Sequence, residues 1–545
     1  MPKFVFGSRS LAEPTAEIVA KHIDEVLSVL EFAERESTAG SYVAVMLSYE
    51  AAPAFDPILS VHQPSDFPLA WAASFPGASD FRDSDGPIIS SNSWRPRVAR
   101  DEYDNAVRRI RDLIAEGDTY QVNYSFPVIS NFAGDHFAWY RSLCLAQGAE
   151  YSAYIDLGRY KVLCLSPELF FRREGNHVVT KPMKGTVRRG RWTKEDQDLA
   201  DWLKYSTKDR AENVMIVDLL RNDLGKVSIT GSVHVSSLFD VERFETVWQM
   251  TSTVESTLRD GTTLSELMQA LFPCGSITGA PKIRTMQIIR ELERFPRGVY
   301  TGAIGLVKPG GDCVFNVAIR TVVIDTESSQ ATFGVGGGIV IDSTAEREYE
   351  ECLVKSRFLH STSVEFQLFE SILLENGEYF LLAEHLKRLK DSAEYFGFRY
   401  SIDEMNEALP KEEMGSFKVR LTLWKDGRIE TQIGQIGLPI KSVRLSEEPV
   451  DSSDRFLFHK TTRRRGGDDL IFWNERGEVT ESSIANIVVP IDDELFTPSV
   501  ECGLLPGVFR NHLLSEGTIK ERVITIEEFK NAKEFFLINS VRKWF

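Results

Sequence analysis

A single hydrophobic core stops growing at about 250–300 residues, and this chain has 545. It must therefore fold as two large domains or more, with a junction between them. His360-Ser361-Thr362-Ser363-Val364 is a short polar stretch with a different sequence grammar on either side. It predicts one domain over residues 1–362 and a smaller one over 366–545. In the first part Tyr42-Val43-Ala44-Val45-Met46-Leu47 has the pattern of a buried strand. Residues 77–97 are rich in Ser, Asp, Gly and Pro and predict a surface loop. Tyr103, Ala106, Val107, Ile110, Leu113 and Ile114 recur at helical spacing, with Gly117 as a stop. Tyr120, Val122, Tyr124, Phe126 and Val128 then alternate with more polar residues, as in a half-buried strand.

Charge and cysteine usage narrow the function classes. The net charge of −17 argues against a nucleic-acid surface, which needs clustered Lys and Arg, and the run Arg463-Arg464-Arg465 is too short to reverse this. The six cysteines are scattered with no CxxC pair, so free thiols in a reducing compartment are expected rather than disulfides or a zinc site. No run of 18 apolar residues is present, and Met1-Pro2-Lys3-Phe4-Val5-Phe6-Gly7 lacks the apolar core of a signal peptide. The expectation is a cytoplasmic protein with no membrane partner.

The stretch Thr180-Lys181-Pro182-Met183-Lys184-Gly185-Thr186 holds a lysine between a proline turn and a glycine, just after a strand-like run. Proline restricts its own φ and its predecessor, and glycine admits close approach. At an unperturbed pKa of ~10.4, fewer than about one lysine in a thousand is neutral at pH 7. A desolvating pocket would shift that balance toward a nucleophile. An ordinary solvated turn lysine has the same spacing. Ser206-Thr207-Lys208-Asp209 reads as a capping box opening a helix through Asn222. On it Asp209 and Glu212 are three apart and face the same way, and Glu348 and Glu351 repeat the spacing on a helix opened by Ser343-Thr344-Ala345-Glu346. Four such carboxylates suit one Mg²⁺, although exposed helical acids share the pattern.

With Gly275-Ser276-Ile277-Thr278-Gly279-Ala280-Pro281-Lys282 and Val317-Ala318-Ile319-Arg320-Thr321, these stretches resemble the chorismate-utilising enzymes. Anthranilate-forming members carry Pro-x-Ala-Gly-Thr where this chain has Pro182-Met183-Lys184-Gly185-Thr186. The resemblance is to the branch that makes 4-amino-4-deoxychorismate. It implies an α+β fold of antiparallel sheets flanked by helices, with Lys184 adding covalently to the ring and expelling the 4-hydroxyl before ammonia enters. It further implies a chorismate pocket lined by Gln121, Thr278, Tyr300 and Arg320. There Arg320 would fork onto one carboxylate, and the backbone N–H groups of Gly336, Gly337 and Gly338 would take a second. Asp209, Glu212, Glu348 and Glu351 would hold Mg²⁺. Gln121 stands where isochorismate-forming relatives have a lysine base, so water activation is not expected. Gln249 stands where anthranilate synthases have a histidine, which leaves the acid for hydroxyl loss unassigned.

Past the junction, Phe369-Glu370-Ser371, Glu384-His385-Leu386-Lys387-Arg388-Leu389, His459-Lys460-Thr461-Thr462, Gly477-Glu478-Val479-Thr480-Glu481-Ser482-Ser483, Gly503-Leu504-Leu505-Pro506-Gly507-Val508 and Asn539-Ser540-Val541-Arg542 follow in order. This order is similar to the fold-type IV pyridoxal phosphate enzymes, which include branched-chain aminotransferases and aminodeoxychorismate lyase. The similarity implies a smaller α+β domain. In it Lys460 binds the cofactor covalently, Glu481 faces the pyridinium nitrogen, and Arg388, Gly507, Val508, Asn539 and Ser540 hold the phosphate.

No Gly-x-Cys-x-Gly glutaminase elbow occurs, so ammonia is expected from solution or from a separate glutamine amidotransferase subunit. The combined expectation is a fused enzyme turning chorismate and ammonia into 4-aminobenzoate and pyruvate, for folate synthesis. The alternatives are a synthase whose second domain is non-catalytic or an aminotransferase, and an anthranilate synthase component.

Overall fold

The computed structural model describes residues 2–81, 93–360, 365–411, 414–437, 443–464 and 470–545. Part of the expected surface loop (82–92), most of the expected junction (361–364) and Arg465 lie outside the described residues. The chain divides into two units, Met1–Arg188 with Ala200–Ser363, and Arg189–Leu199 with Val364–Phe545.

The first unit contains two ten-stranded sheets whose strand pairs are antiparallel. Alternation explains how they stack. Along Tyr42–Leu47, Val43, Val45 and Leu47 join a core built with the helices Val26–Thr38 and Leu264–Leu271. Ala44 and Met46 face the other way, into a core shared with Ala153, Ile155 and Val162 of the second sheet. Both faces of the strand are buried, so it reads as a continuous apolar run rather than an alternating one. The helix Arg100–Ala115 covers the outer face of the second sheet through Tyr103, Ala106, Val107, Ile110 and Leu113, and Gly117 beyond it has φ of 85°.

Gln121–Asn131 departs from the half-buried expectation. Val122, Tyr124, Phe126 and Val128 pack on the helix side, but Gln121, Asn123 and Ser125 on the opposite face are buried too. Tyr120, at 70% exposure, lies outside the strand. On the polar face Ser125 Oγ donates to the buried Glu293 at 2.9 Å, and along the strand edge Asn123 N–H donates to the Thr278 carbonyl at 2.8 Å beside the strand Gly279–Ala280. The helix Thr207–Gly225 is capped by Ser206, whose Oγ accepts from Asp209 N–H at 3.4 Å, and it runs three residues past Asn222.

In the second unit the strands Glu378–Tyr379, Leu368–Glu375, Ser416–Leu423 and Ile429–Gln435 form a four-stranded antiparallel sheet. The helix Leu382–Phe396 packs on one face of it through Leu386, Leu389 and Ala393. A five-stranded sheet, including Asn486–Ile491 and Phe536–Asn539, and a three-stranded one with Val479–Ser482 complete the unit. The segment Arg189–Leu199 is tied in by the Arg189 guanidinium, which pairs with both oxygens of Asp196 at 2.8 and 2.7 Å and lies 4.4 Å from the Tyr395 ring. Among the described residues no helix is long and apolar enough to cross a membrane.

Candidate active sites

In the first unit Lys184 sits on the edge strand Met183–Arg188. Gly185 beside it has φ of 86°, and a Cβ there would meet Asp209 at 2.8 Å, so glycine admits the helix Thr207–Gly225 close to the lysine. Lys184 Nζ donates to the Ser276 carbonyl at 3.0 Å. Ser276 Oγ in turn donates to Glu168 Oε1 at 2.7 Å. Glu168 is 4% exposed, and burial raises its carboxyl to about 7 against the opposing charge of Lys184. Burial pushes Lys184 the other way, below its usual range, while Glu168 and Glu212 resist. A buried amine and a buried carboxyl thus meet across one serine. Sequence reasoning missed Glu168, although a lone acid inside Leu163-Cys164-Leu165-Ser166-Pro167-Glu168-Leu169-Phe170-Phe171 is a visible signal.

Gln121 and Thr278 adjoin this centre. Thr278 is fully buried, with Oγ1 donating to the Cys274 and Gly275 carbonyls at 3.3 Å each. Gln121 is 1% exposed, its Oε1 has no partner among the described residues, and its Nε2 lies 1.8 Å from where a Cβ on Gly338 would stand. Gly336, Gly337 and Gly338, expected to offer backbone N–H groups to a carboxylate, are held in regular extended backbone. They lie in the strand Gln330–Ile339, paired with Ser125, Tyr124 and Asn123. A Cβ on Gly336 would meet the Tyr124 carbonyl and Ser125 at 2.5 and 2.6 Å, and one on Gly338 would meet Gln121 at 1.8 Å, so glycine is needed at those two positions.

Tyr300 packs against the Gly334 backbone at a separate small cavity that Ser125 and Arg297 also line, and no hydrogen bond joins it to Lys184 among the described residues. Arg320 has φ of 49° and donates to Gln147 Oε1 at 3.2 Å. Burial lowers its guanidinium to about 10, with no carboxylate among the described residues to oppose it, which fits a site for an anion.

The four helical carboxylates feel one another across two helices. Burial raises Glu212, and the charges of Asp209 and Glu348 add to it. Burial raises Glu348 as well, with Glu351 adding, while Ser343 Oγ donates to it at 2.7 Å. Glu351 is held low by Lys355, 2.7 Å away, whose Nζ also donates to the Gly336 carbonyl at 2.9 Å. Among the described residues no three such side chains already close into a metal cage. The donor set is all oxygen and surplus in negative charge, which fits a hard divalent cation.

The second unit holds a cavity of about 540 Å³ lined by Arg388, Lys460, Glu481, Gly507, Val508, Asn539 and Ser540. Burial, then the charge of Arg388, lowers the Lys460 amine to about 7. Glu481, 4% exposed and raised by burial, accepts from Arg464, from Leu505 N–H at 3.1 Å and from Asn486 Nδ2 at 3.4 Å. Gly507 caps the helix Val508–Ser515, which presents backbone N–H groups. The Asn539 carboxamide oxygen is already engaged by Val541 and Arg542 N–H at 3.0 and 2.8 Å, so this residue shapes the loop. Arg388 donates bidentately to Glu370 at 2.8 and 2.6 Å. His385 lines the cavity, its Nδ1 lies 2.7 Å from the same carboxylate, and its buried Nε2 has no partner among the described residues. A buried lysine of lowered pKa, a helix N-terminus and a ring nitrogen without a partner among the described residues, all lining one cavity, fit a phosphorylated pyridine aldehyde.

Residues 88–361 match the family model described as chorismate binding enzyme, and residues 367–431 and 450–545 match amino-transferase class IV. Over 278 residues the chain is 39% identical to aminodeoxychorismate synthase component 1 of Bacillus subtilis, covering 50% of this chain and 59% of that protein. Over 267 residues it is 38% identical to anthranilate synthase component 1 of Aquifex aeolicus, covering 49% of this chain and 54% of that protein. The chain thus spans less than two thirds of the length of these curated relatives. The crystal structure of anthranilate synthase component I from Streptococcus pneumoniae superposes with a TM-score of 0.57 at 26% identity, over 66% of this chain and 92% of that one.

Proposed function

Since the chain belongs to the family of chorismate binding enzymes and carries an amino-transferase class IV domain behind it, we propose that it aminates chorismate and then releases pyruvate from the product, giving 4-aminobenzoate. The observation that carries this reading is Lys184, seated on Ser276 with Glu168 on the same serine. The two relatives above are nearly equal in identity, so overall similarity does not choose between amination at C4 and anthranilate formation.

In the first unit the neutral Lys184 amine attacks the ring, the double bonds shift, and the 4-hydroxyl departs as water with the proton of Glu168. Ammonia then enters at C4 and the lysine leaves with the bond shift reversed. Glu168 supplies the acid that Gln249 cannot, and Arg320 holds a substrate carboxylate. Mg²⁺ among Asp209, Glu212, Glu348 and Glu351 would neutralise carboxylate charge on the substrate. Ammonia comes from a separate glutamine amidotransferase subunit. The six buried free thiols suit a reducing cytoplasm.

In the second unit Lys460 and Glu481 would hold pyridoxal phosphate, which would supply an electron sink. Lys460, its amine lowered to about 7 by burial and the charge of Arg388, would serve as the base that takes the proton from the ring carbon bearing the amine. Loss of pyruvate makes the ring aromatic and drives the step forward.

The test is chromatography of products after incubation with chorismate, NH₄⁺, Mg²⁺ and pyridoxal phosphate. The expected products are 4-aminobenzoate and pyruvate. Anthranilate in their place overturns the synthase reading, and aminodeoxychorismate as the end product overturns the lyase reading.

A further inference from the structure

The cavity of the second unit carries more positive charge than a cofactor phosphate requires, and its arginines are not equivalent. Arg388, Arg464 and Arg510 each take a carboxylate, from Glu370, Glu481 and Glu521. Arg420 takes none among the described residues. It lies in the strand Ser416–Leu423, opposite Ser371, and the pleat turns Val419, Leu421 and Leu423 into the core. Lys418 and Arg420 project from the other face and line the cavity with Phe369 and Ser371. The Arg420 guanidinium carbon lies 4.0 Å from the centroid of the Phe369 ring, and Lys460 Nζ lies 5.1 Å from the same centroid. One aromatic ring therefore adjoins both the guanidinium and the lysine amine within the cavity lining. A guanidinium stacked on a ring keeps its N–H fork for a carboxylate.

We propose that Arg420, assisted by Lys418, is the specificity determinant of this cavity and binds a carboxylate of the amine substrate. The substrate class is a cyclic amine with carboxylates, rather than an uncharged amine. This rests on the lyase reading above. Phe369 orients the guanidinium, and the second cation two residues along the strand extends the positive surface for a dianion.

The test uses the full chain loaded with pyridoxal phosphate, as the unaltered protein and as Arg420→Gln and Arg420→Lys. The expected result for Arg420→Gln is a KM for aminodeoxychorismate raised about ten- to a hundredfold, the loss of one charge-assisted hydrogen-bonded pair. The kcat and the cofactor absorbance stay near those of the unaltered protein, and Arg420→Lys recovers part of the KM. An unchanged KM overturns the proposal, as does loss of cofactor absorbance, which would assign Arg420 to the cofactor instead. A second measurement follows the cofactor spectrum while benzene-1,3-dicarboxylate or aniline is added. The dicarboxylate is expected to perturb the unaltered protein and to need about tenfold more in Arg420→Gln, with aniline indifferent to the substitution. If the unaltered protein binds the cofactor yet makes no 4-aminobenzoate, the lyase reading falls. The dicarboxylate titration then still decides Arg420, since no perturbation, or an equal one in the variant, overturns its role.

Discussion

Burial acts on Lys184 and Glu168 with opposite sign, because it penalises whichever form carries charge. The amine is held below its usual range and the carboxyl is raised to about 7. Glu168 therefore carries its proton below about 7 and loses it as the pH rises, while Lys184 gains neutral amine over the same direction. At a fixed concentration of free NH₃ the amination rate should fall on the alkaline side as Glu168 ionises. Glu168→Gln should lower the rate by about 10²–10⁴-fold and remove that alkaline limb. A variant with the original rate and limb would take Glu168 out of the chemistry. Lys184→Ala should abolish any covalent protein–substrate adduct seen by mass spectrometry. An unchanged amination rate in that variant refutes the nucleophile. Lys184 stands out in the sequence through its proline and glycine neighbours. Glu168 stands out only as a lone acid in an apolar run, and its role stays hidden because its partner Ser276 is 108 residues away along the chain.

Two helices, Thr207–Gly225 and Ala345–Ser356, carry the carboxylates, and their i,i+3 spacing is legible in the sequence alone. What spacing does not contain is the role of Lys355, one turn past Glu351, which pairs with it and holds it low. Glu351→Gln should raise the Mg²⁺ concentration needed for half-maximal amination by about tenfold and raise the chorismate KM with it, while the melting curve stays in place. Full activity after treatment with EDTA would exclude the metal. The strand Gln121–Asn131 divides in the same way. Its apolar set Val122, Tyr124, Phe126 and Val128 follows from alternation, but the burial of its other face, where Ser125 meets Glu293, involves a residue 168 positions later in the chain.

Across the molecule, the two proposed chemistries reside in separate units, each with its own core. Lys460→Ala should therefore leave chorismate consumption intact while 4-aminobenzoate formation stops and aminodeoxychorismate accumulates. Chromatography of the reaction mixture checks this, and release of 4-aminobenzoate and pyruvate at the original rate would remove the second unit from the pathway. Arg189–Leu199 counts with the second unit although the sequence sets it inside the first. The reason is local: Tyr395 donates its hydroxyl to the Gly190 carbonyl at 2.6 Å and stacks under the Arg189 guanidinium.

The α+β class, the family, and candidates such as Lys184, Lys460 and the paired helical acids are all written in short motifs of the chain. Those signals are local, since turn residues, alternation and helical spacing act within a few positions. Which groups meet is a matter of tertiary packing. Folding joins Glu168 to Lys184 through Ser276, sets Arg420 and Lys460 on one Phe369 ring, and pairs the three glycines with Ser125, Tyr124 and Asn123. Such pairings depend on contacts between residues far apart in the chain, and the charge states of Lys184, Glu168 and Lys460 depend on the water those contacts exclude.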